Sequence, residues 1–283
     1  MKRHPSRTGF IGVKPLVRAL LLNCHFVPRI SRFIVSLAAA GALAFAFTAT
    51  GCSSLYTAPT AVVPTNSQFK TALVAPEGST FSTFTLSATM TVGVTLVSVV
   101  SNATGQVLSP TMQLLLGRPT SATTCSPVSA KVVTPALAAQ IQVSLNAGTY
   151  CIDVQDFTLT EPGVVSVRIN TSTSAPTNIS PSATTDIFSS TLGAKGSATH
   201  QLAVFYNGSA TVTLVSAGSA DTIGLGFGAW DGQTCRFFSL LTATPSANPL
   251  LSTTVDPGNY CIHVYDLGLL TAPILFTIDT LHP

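Results

Sequence analysis

Residues 258–266 read Gly-Asn-Tyr-Cys-Ile-His-Val-Tyr-Asp, and residues 148–156 read Gly-Thr-Tyr-Cys-Ile-Asp-Val-Gln-Asp. Both stretches fit the pattern Gly-x-Tyr-Cys-Ile-x-Val-x-Asp, and they lie 110 positions apart. In both copies another cysteine precedes the motif cysteine at the same spacing, and the pairs are Cys125/Cys151 and Cys235/Cys261. Motif and spacing together indicate one structural unit that is used twice, each time with its own cysteine pair.

Short runs of β-branched and aromatic residues, separated by turn signals, fill both units. Strands are predicted at 81–86, 90–99, 113–116, 140–145, 149–155 and 164–169, and again at 199–206, 211–216, 222–230, 235–241, 260–265 and 274–279. A helical turn is expected only at 134–142. Closely spaced strands without helical crossovers predict an all-β fold of two tandem antiparallel, jelly-roll-like sandwiches, each with one disulfide.

Changes in composition along the chain predict five segments. These are a signal peptide at 1–51, a flexible tether at 52–67, the first sandwich at 68–170, a Ser/Thr/Pro-rich linker at 171–185 and the second sandwich at 186–283. We expect the two sandwiches to fold independently across that linker. The first unit is longer, because the interval from Val94 to Cys125 exceeds the matching interval from Val212 to Cys235 by eight positions. The extra residues are expected in the loop near 101–111, where an insertion leaves strand pairing intact.

The charge distribution argues against nucleic-acid binding. Charged residues make up only 8% of the chain, and seven of its 13 Lys and Arg residues precede Phe33. All 10 acidic residues follow that point, so removing the first 51 residues leaves a net charge of 6 − 10 = −4. A weakly acidic surface does not attract phosphate backbones, so no nucleic-acid partner is expected.

The N-terminal segment has the features of an export signal. Residues 33–51 carry no charge, follow Arg29 and Arg32, and end in small residues before Cys52. This ending resembles the lipobox of bacterial lipoproteins, which implies that Cys52 becomes the first mature residue and carries lipid. The same resemblance, with Ser53 next, implies a lipid-anchored protein of the bacterial cell envelope, at the outer membrane. The alternative is an uncleaved helix, because 19 residues at about 1.5 Å each could span a bilayer.

Side-chain alternation assigns the two faces of the motif strand. Tyr260, Ile262 and Val264 point to the core, whereas the alternate residues Cys261, His263 and Tyr265 point to an outward polar face. Four cysteines remain after Cys24 and Cys52 are set aside, and they allow three pairings. The repeat selects Cys125–Cys151 and Cys235–Cys261 as disulfides. Zinc is the rival interpretation, but no C-x₂-C pair or supporting histidines occur at ligand spacing.

The late Gly-x-Tyr-x-Ile-x-Val-Tyr-Asp segment and the earlier Ser-Ala-Thr-Val-Thr-Leu segment resemble the bacterial pre-peptidase C-terminal domains. The resemblance covers residues 198–280 best and 80–170 less well, and it implies jelly-roll-like sandwiches of exported proteins. Family members usually lack this cysteine pair. Only Asp221 lies near the position of the family's calcium-binding acidic cluster, so no metal site is expected.

A small set of residues could form a ligand site: Trp230, Asp231, His263 and Tyr265. Aromatic faces with polar tips suit stacking on a sugar ring. The competing interpretation is an exposed polar sheet face, which the different chemistry of Asp153 and Gln155 in the first copy favours. No G-x-S-x-G, H-E-x-x-H or phosphate-loop signature occurs, so neither catalytic residues nor a cofactor are expected.

Three functional hypotheses follow. The first is a non-enzymatic, lipid-anchored envelope protein with a structural or binding role. The second is a carbohydrate- or peptide-binding adhesion module that uses the loops and polar face of the second unit. The third, least favoured, is an enzyme whose residues assemble only in space.

Overall fold

β-Strands, and no helices, form the regular structure of residues 66–173, 183–218 and 222–283, which are the parts that the computed structural model describes. The strands are β1 (Asn66–Val74), β2 (Ser79–Leu86), β3 (Met90–Ser101), β4 (Val107–Leu108), β5 (Met112–Pro119), β6 (Cys125–Val133), β7 (Ile141–Leu145), β8 (Gly148–Asp156), β9 (Gly163–Ser172), β10 (Thr184–Leu192), β11 (Ser197–Val204), β12 (Gly208–Ser216), β13 (Ile223–Trp230), β14 (Cys235–Ala243), β15 (Leu251–Val255), β16 (Gly258–Tyr265) and β17 (Ile274–His282). The predicted all-β fold is therefore confirmed. The helical turn expected at 134–142 is wrong, because that segment runs as an irregular loop into β7.

The described residues cover only part of the predicted organisation. The signal at 1–51, the lipid site Cys52 and most of the tether lie outside them. β1 begins at Asn66, inside the range expected for the tether, and strands β9 and β10 extend into both ends of the expected linker. No helix capable of crossing a bilayer is found in the described ranges.

Each repeat is a sandwich of two antiparallel sheets with the same strand order. In repeat 1 (β1–β9), sheet A has the order β1-β9-β3-β4 with β7 also on β3, and sheet B has the order β2-β8-β5-β6. In repeat 2 (β10–β17), sheet C has the order β10-β17-β12-β15 and sheet D has the order β11-β16-β13-β14. The motif strands β8 and β16 thus occupy the same inner place in sheets B and D.

β-Bulges mark equivalent places and locate the insertion. One pair of bulges lies at Val97 in β3 and Val215 in β12, which are 118 positions apart. The next pair lies at Val128 in β6 and Phe238 in β14, which are only 110 positions apart. All eight extra residues of repeat 1 therefore lie between these bulges. Seven of them precede Gly117, where they lengthen β3 and add the β3–β4 turn and β4, and one lies in the β5–β6 loop. This agrees with the expected position near 101–111.

The core of each sandwich forms from the alternating inward residues of its strands. Tyr260, Ile262 and Val264 are fully buried, and so are their counterparts in β8. Five strands escaped the sequence prediction: β1, the two-residue β4, β6, β10 and β15. β1, β6 and β10 are rich in Ser, Thr and charged residues because they run at sheet edges, where one side of the strand needs no apolar cover.

The two sandwiches pack directly against each other. All described residues belong to one compact unit, and Val97 and Leu137 of repeat 1 join the apolar core of repeat 2. Leu137 also pairs in parallel with Val255. Repeat 2 covers the outward face of sheet A, because side chains that point away from the core of repeat 1 are buried there. The two units are therefore connected by a packed interface as well as by the linker.

A buried arginine lies at the centre of this interface. Arg168, on the outward face of β9, is only 1% exposed. Its guanidinium donates to the carbonyl oxygen of Leu137 at 2.5 Å and to the hydroxyl of Tyr260 at 3.1 Å. Nearby, the Ala139 N–H donates to the Asp256 carboxylate at 2.5 Å. These bonds satisfy polar groups that would otherwise be costly to bury, and so they specify how repeat 2 docks.

Candidate functional site

The aspartate that ends the motif anchors a turn in each repeat. Asp156 accepts two hydrogen bonds from the loop that follows it and a third from the Glu77 N–H at 2.9 Å. Asp266 accepts three bonds from its own following loop and one from the Lys195 N–H at 2.7 Å. Both carboxylates are thus occupied by backbone donors, which is the arrangement of a structural anion.

The turns that these aspartates hold are strained. Glu77 has a φ of 58° and Lys195 a φ of 57°. Residues other than glycine rarely adopt this left-handed backbone region. Burial raises the pKa of the Asp156 carboxyl, but the backbone donors outweigh it and hold that pKa below its usual value. For Asp266 the Lys195 N–H is the main cause of the lowered pKa. A carboxylate that stays ionised keeps its turn closed over the pH range of folded proteins.

The motif tyrosines close the loop that precedes their own strand. The Tyr150 hydroxyl donates to the carbonyl oxygen of Asn146 at 2.9 Å, and the Tyr260 hydroxyl donates to that of Asp256 at 2.6 Å. In both cases the acceptor lies four residues upstream, as in the tyrosine corners of other β-sandwiches. Tyrosine is therefore needed at this position both for its ring in the core and for its hydroxyl.

The structure contains both disulfides, and it corrects the expected position of the cysteines. Cys125 is bonded to Cys151 and Cys235 to Cys261, with Cα–Cα distances of 5.9 and 5.8 Å. The motif cysteines do lie on the strand face opposite the core, but that face is not exposed at this point. Cys151 and Cys261 are both 0% exposed.

A glycine beside each disulfide explains this burial. A Cβ at Gly117 would overlap the carbonyl oxygen of Ser126, and one at Gly228 would overlap that of Arg236. Glycine at the bulge therefore lets the backbone of β6 or β14 cross closely over the neighbouring strand and cover the bridge. Sequence alternation alone could not reveal this cover, because it assigns a face but not what packs on it.

The four predicted ligand residues divide into two pairs. Asp231 caps the β13–β14 turn and forms an ion pair with Arg236 at 2.6 Å, and Trp230 ends β13 beside this turn. Burial raises the pKa of the Asp231 carboxyl, but hydrogen bonds from Thr234, Gln233 and Arg236 outweigh it and lower the pKa. His263 and Tyr265 lie together further along sheet D, where Tyr265 pairs with Gly224 at the opposite end of β13. The structure therefore does not bring all four residues into one site.

His263 and Tyr265 line a groove where the two repeats meet. It has a volume of about 550 Å³, within the usual range of ligand pockets. One wall is the outward face of sheet D, and the other is the β3–β4 turn of repeat 1. Its lining residues are Thr104, Gly105, Gln106, Val107, Phe237, Leu240, Leu241, Thr242, His263 and Tyr265.

Three rings lie in a row on the sheet wall of this groove. The His263 ring is 5.3 Å from that of Phe237 and 5.7 Å from that of Tyr265, and the latter pair is stacked. Glycines in β13 leave the room that these side chains occupy. A Cβ at Gly224 would overlap the Tyr265 ring, and one at Gly226 would lie 2.6 Å from the Leu240 side chain.

The groove is electrically neutral. No Asp, Glu, Lys or Arg occurs among its lining residues. The His263 Nδ1 shares a hydrogen bond with the Thr199 hydroxyl at 2.7 Å, and burial lowers the pKa of its imidazole, which favours the uncharged form near pH 7. Such a surface offers ring faces, hydroxyls and an amide, but no charge for an ionic ligand.

Sequence reasoning missed the half of the groove that repeat 1 supplies. Residues 104–107 belong to the insertion that makes repeat 1 longer. The unequal spacing of the two repeats was therefore the sequence feature that could have pointed to this half of the groove. The alternating glycines Gly224, Gly226 and Gly228 were a second signal, because glycine in a strand often marks a close approach of other groups.

Within residues 66–173, 183–218 and 222–283, no cluster of His, Cys, Asp and Glu could hold a metal ion. An Asp–His pair joins Asp186 and His200 at 2.8 Å, and both side chains are about one-third exposed. The His200 ring stacks on Phe188. Among the described contacts, no hydroxyl or thiol bonds to this histidine, so the pair does not form a nucleophile–base arrangement.

No family model and no curated protein match the chain. Among solved structures it is similar to the PBSX exported protein XepA, with 11% identity over 76% of this chain and 86% of that chain, at a TM-score of 0.29. It is also similar to a structure of the Sulfolobus Turreted Icosahedral Virus, with 13% identity over 77% and 93% of the two chains, at 0.23. For recombinant peptide:N-glycanase F the identity is 8% over 77% and 95%, at 0.27. Similarities at TM-scores this low say nothing about the function of this chain.

Proposed function

We propose that this chain is a non-enzymatic, lipid-anchored protein of the bacterial cell envelope with a binding role, and that its binding surface is the inter-repeat groove. The groove is the observation that carries the proposal. It combines three neighbouring rings on repeat 2, two of them stacked, with a polar turn from repeat 1. In contrast, the carboxylates of the repeated motif are occupied by backbone donors and so serve the fold.

Two observations support the envelope location. Each repeat has a disulfide, and disulfides persist in oxidising compartments outside the cytoplasm. The second is the sequence signal that ends at Cys52, which lies outside the described residues. Lipid on this cysteine would hold the sandwiches at a membrane surface through the segment between residue 52 and β1.

The ligand class that suits the groove best is a neutral carbohydrate. Sugar rings present apolar C–H faces that stack on aromatic rings, while their hydroxyls need neutral donors and acceptors. Phe237, His263 and Tyr265 supply the ring faces. Gln106 and Thr242 supply polar groups on opposite walls. This favours the carbohydrate-binding alternative that the sequence suggested for repeat 2, with the correction that Trp230 and Asp231 lie outside the groove.

A glycan array on the purified protein tests the binding role. We expect neutral oligosaccharides to be retained, and Tyr265→Ala and Gln106→Ala each to weaken binding by about tenfold or more. Trp230→Ala is the matched control, because it removes an aromatic side chain of the same sheet outside the groove. Absence of any neutral glycan ligand, or equal losses with Trp230→Ala, would refute this binding surface.

Metabolic labelling with a fatty-acid analogue tests the anchor separately. The wild-type protein should incorporate the label and lose residues 1–51, whereas Cys52→Ala should remain unlabelled. Equal labelling of both proteins, or a mature chain that keeps the apolar segment, would contradict the lipid anchor while leaving the groove untouched.

A further inference from the structure

The two repeats present equivalent outward sheet faces, and only one of them is covered. Repeat 2 packs on the outward face of sheet A, where Val97 and Arg168 are buried. The equivalent face in repeat 2 is that of sheet C. Its positions follow from the strand register, which matches Phe69 with Ile187, Val97 with Val215 and Arg168 with Asp279. Within the described residues, the outward face of sheet C has no such cover.

This bare face has the apolar character of an interface. It carries four of the large exposed hydrophobic side chains of the molecule: Ile187 (64% exposed), Val215 (46%), Leu275 (70%) and Leu281 (44%). Two of their equivalents in repeat 1 are Phe69 and Val97, which both pack against the core of repeat 2. The equivalent of Leu275 in repeat 1 is Val164. The equivalent of Leu281 is Asn170, which is only 8% exposed because it lies at the interface. Apolar residues thus recur at the positions that repeat 1 uses for docking.

Repeat 1 in turn contains an exposed equivalent of the surface that does the docking. In repeat 2 this surface includes β14, the turn at 256–257 and Tyr260, which contact β3, Asn170 and Arg168. The equivalents in repeat 1 are β6, which the motif spacing aligns with β14, and the exposed Arg118 that covers the buried ring of Tyr150. On β6, Val128 and Val132 are 47% and 62% exposed. Val128 corresponds to Phe238, which packs against the core cluster that Val97 and Leu137 of repeat 1 join.

The charges of the two free surfaces are complementary, with the anion on the sheet face and the cation on the docking surface. In the existing interface the cation is on the sheet face instead. In the existing interface the cation Arg168 projects from the sheet face and bonds to Tyr260. At the equivalent position sheet C has Asp279, which pairs in register with Ile187 and is flanked along β17 by Thr277 and the exposed Leu281. The cation lies instead on the docking side, where the exposed Arg118 covers the Tyr150 ring at 5.1 Å and donates to its hydroxyl at 3.3 Å. An acceptor face with an anion and a docking surface with a cation fit each other.

We propose that the outward face of sheet C binds repeat 1 of a second copy of this chain, with Asp279 facing Arg118 of that copy. The contact repeats the geometry of the existing interface between molecules. It is heterologous, because the two surfaces differ, so each bound copy leaves a further acceptor face free. Copies therefore add head to tail, as a ring or an open row.

Charge reversal of the full chain, kept in solution by detergent, tests the contact by sedimentation velocity over a range of protein concentrations. The wild type should form species larger than monomers as concentration rises. Asp279→Arg and Arg118→Asp should each weaken self-association by at least about 30-fold, because like charges then face each other. Glu161→Arg, the same charge change in the β8–β9 loop, is the matched control and should assemble like the wild type.

Mixing the two reversed chains separates loss of the contact from loss of folding. An equimolar mixture of Asp279→Arg and Arg118→Asp should assemble again, since each junction then pairs opposite charges. A photo-crosslinking residue at position 215, the equivalent of Val97 in β3, should capture residues 125–133 of another copy, identified by isotopic labelling of one of the two chains. If all variants sediment alike, if the mixture stays monomeric, or if position 215 captures a different surface or another protein, the proposal is wrong.

Discussion

Tyr150 and Tyr260 occupy the same place in two copies of one motif, yet the arginine over each ring has a different origin. Over Tyr150 it is Arg118, an exposed residue of the same repeat, at 5.1 Å. Over Tyr260 it is Arg168, a buried residue of the other repeat, at 5.2 Å. At the position of Arg118 repeat 2 has Ala229, which leaves room for the arginine that arrives from repeat 1.

This difference shows which residues serve the fold of each repeat and which serve the packing between the repeats. The residues that serve each fold, including the tyrosine corner, the turn-holding aspartate and the disulfide, are the same in both copies. The residues that set the outward sheet faces apart, such as Arg168 and Asp279, differ between the copies. Changes there created one covered interface, one neutral groove and one exposed sheet face.

The largest expected effect on the free energy of unfolding comes from the disulfide that each repeat contains. Replacing Cys235 and Cys261 by Ala should lower the free energy of unfolding by about 3–4 kcal/mol, since each bridge closes a loop of similar length. The equivalent change at Cys125 and Cys151 should cost about the same. Ser in place of Ala should be worse, by about 1–3 kcal/mol, because a hydroxyl at position 261 would be buried. Denaturant melts measure all four variants, and clearly unequal losses in the two repeats would contradict the shared role.

A smaller, asymmetric effect is expected from the two arginines. Arg168→Ala should cost about 2–3 kcal/mol, because Leu137 and Tyr260 each lose a hydrogen bond from a buried charged donor. Arg118→Ala should cost less than about 1 kcal/mol, because Arg118 is itself exposed and the Tyr150 hydroxyl keeps its bond to Asn146. Denaturant melts compare the two variants under the same conditions. Equal losses would show that Arg168 does not specify the interface.

The smallest effect concerns Asp153, the counterpart of His263 on the outward strand face. Burial raises the pKa of the Asp153 carboxyl, and a backbone interaction with Val154 offsets this only in part. Since the folded state then binds the proton more tightly than the unfolded state, stability from this group is present at low pH and falls as pH rises through the raised pKa. Asp153→Asn should therefore stabilise the protein at pH 7, by less than about 1 kcal/mol given its partial exposure, and less at pH 3. Thermal melts at both pH values measure this, and a loss at pH 7 would contradict it.

The sequence by itself determined the all-β class, the two repeats, the core-facing residues of the motif strand and the cysteine pairs. These features depend on period-2 alternation and on a repeated spacing, which are local patterns that a strand must satisfy wherever it is packed. The length difference between the copies also located the insertion near 101–111. Edge strands such as β6 and β10 were missed, because a strand with one free side does not need the apolar pattern.

Only the tertiary structure decided what lies against the outward faces. The burial of Cys261, the docking of Arg168 and the meeting of residues 104–107 with Tyr265 each join residues that are far apart in the chain. Alternation states which way a side chain points, but the environment it meets depends on the shapes of two surfaces and on the glycines that let them approach. For this reason the sequence grouped Trp230 with His263, while the fold separated them along β13 and placed a turn of the other repeat beside His263 instead.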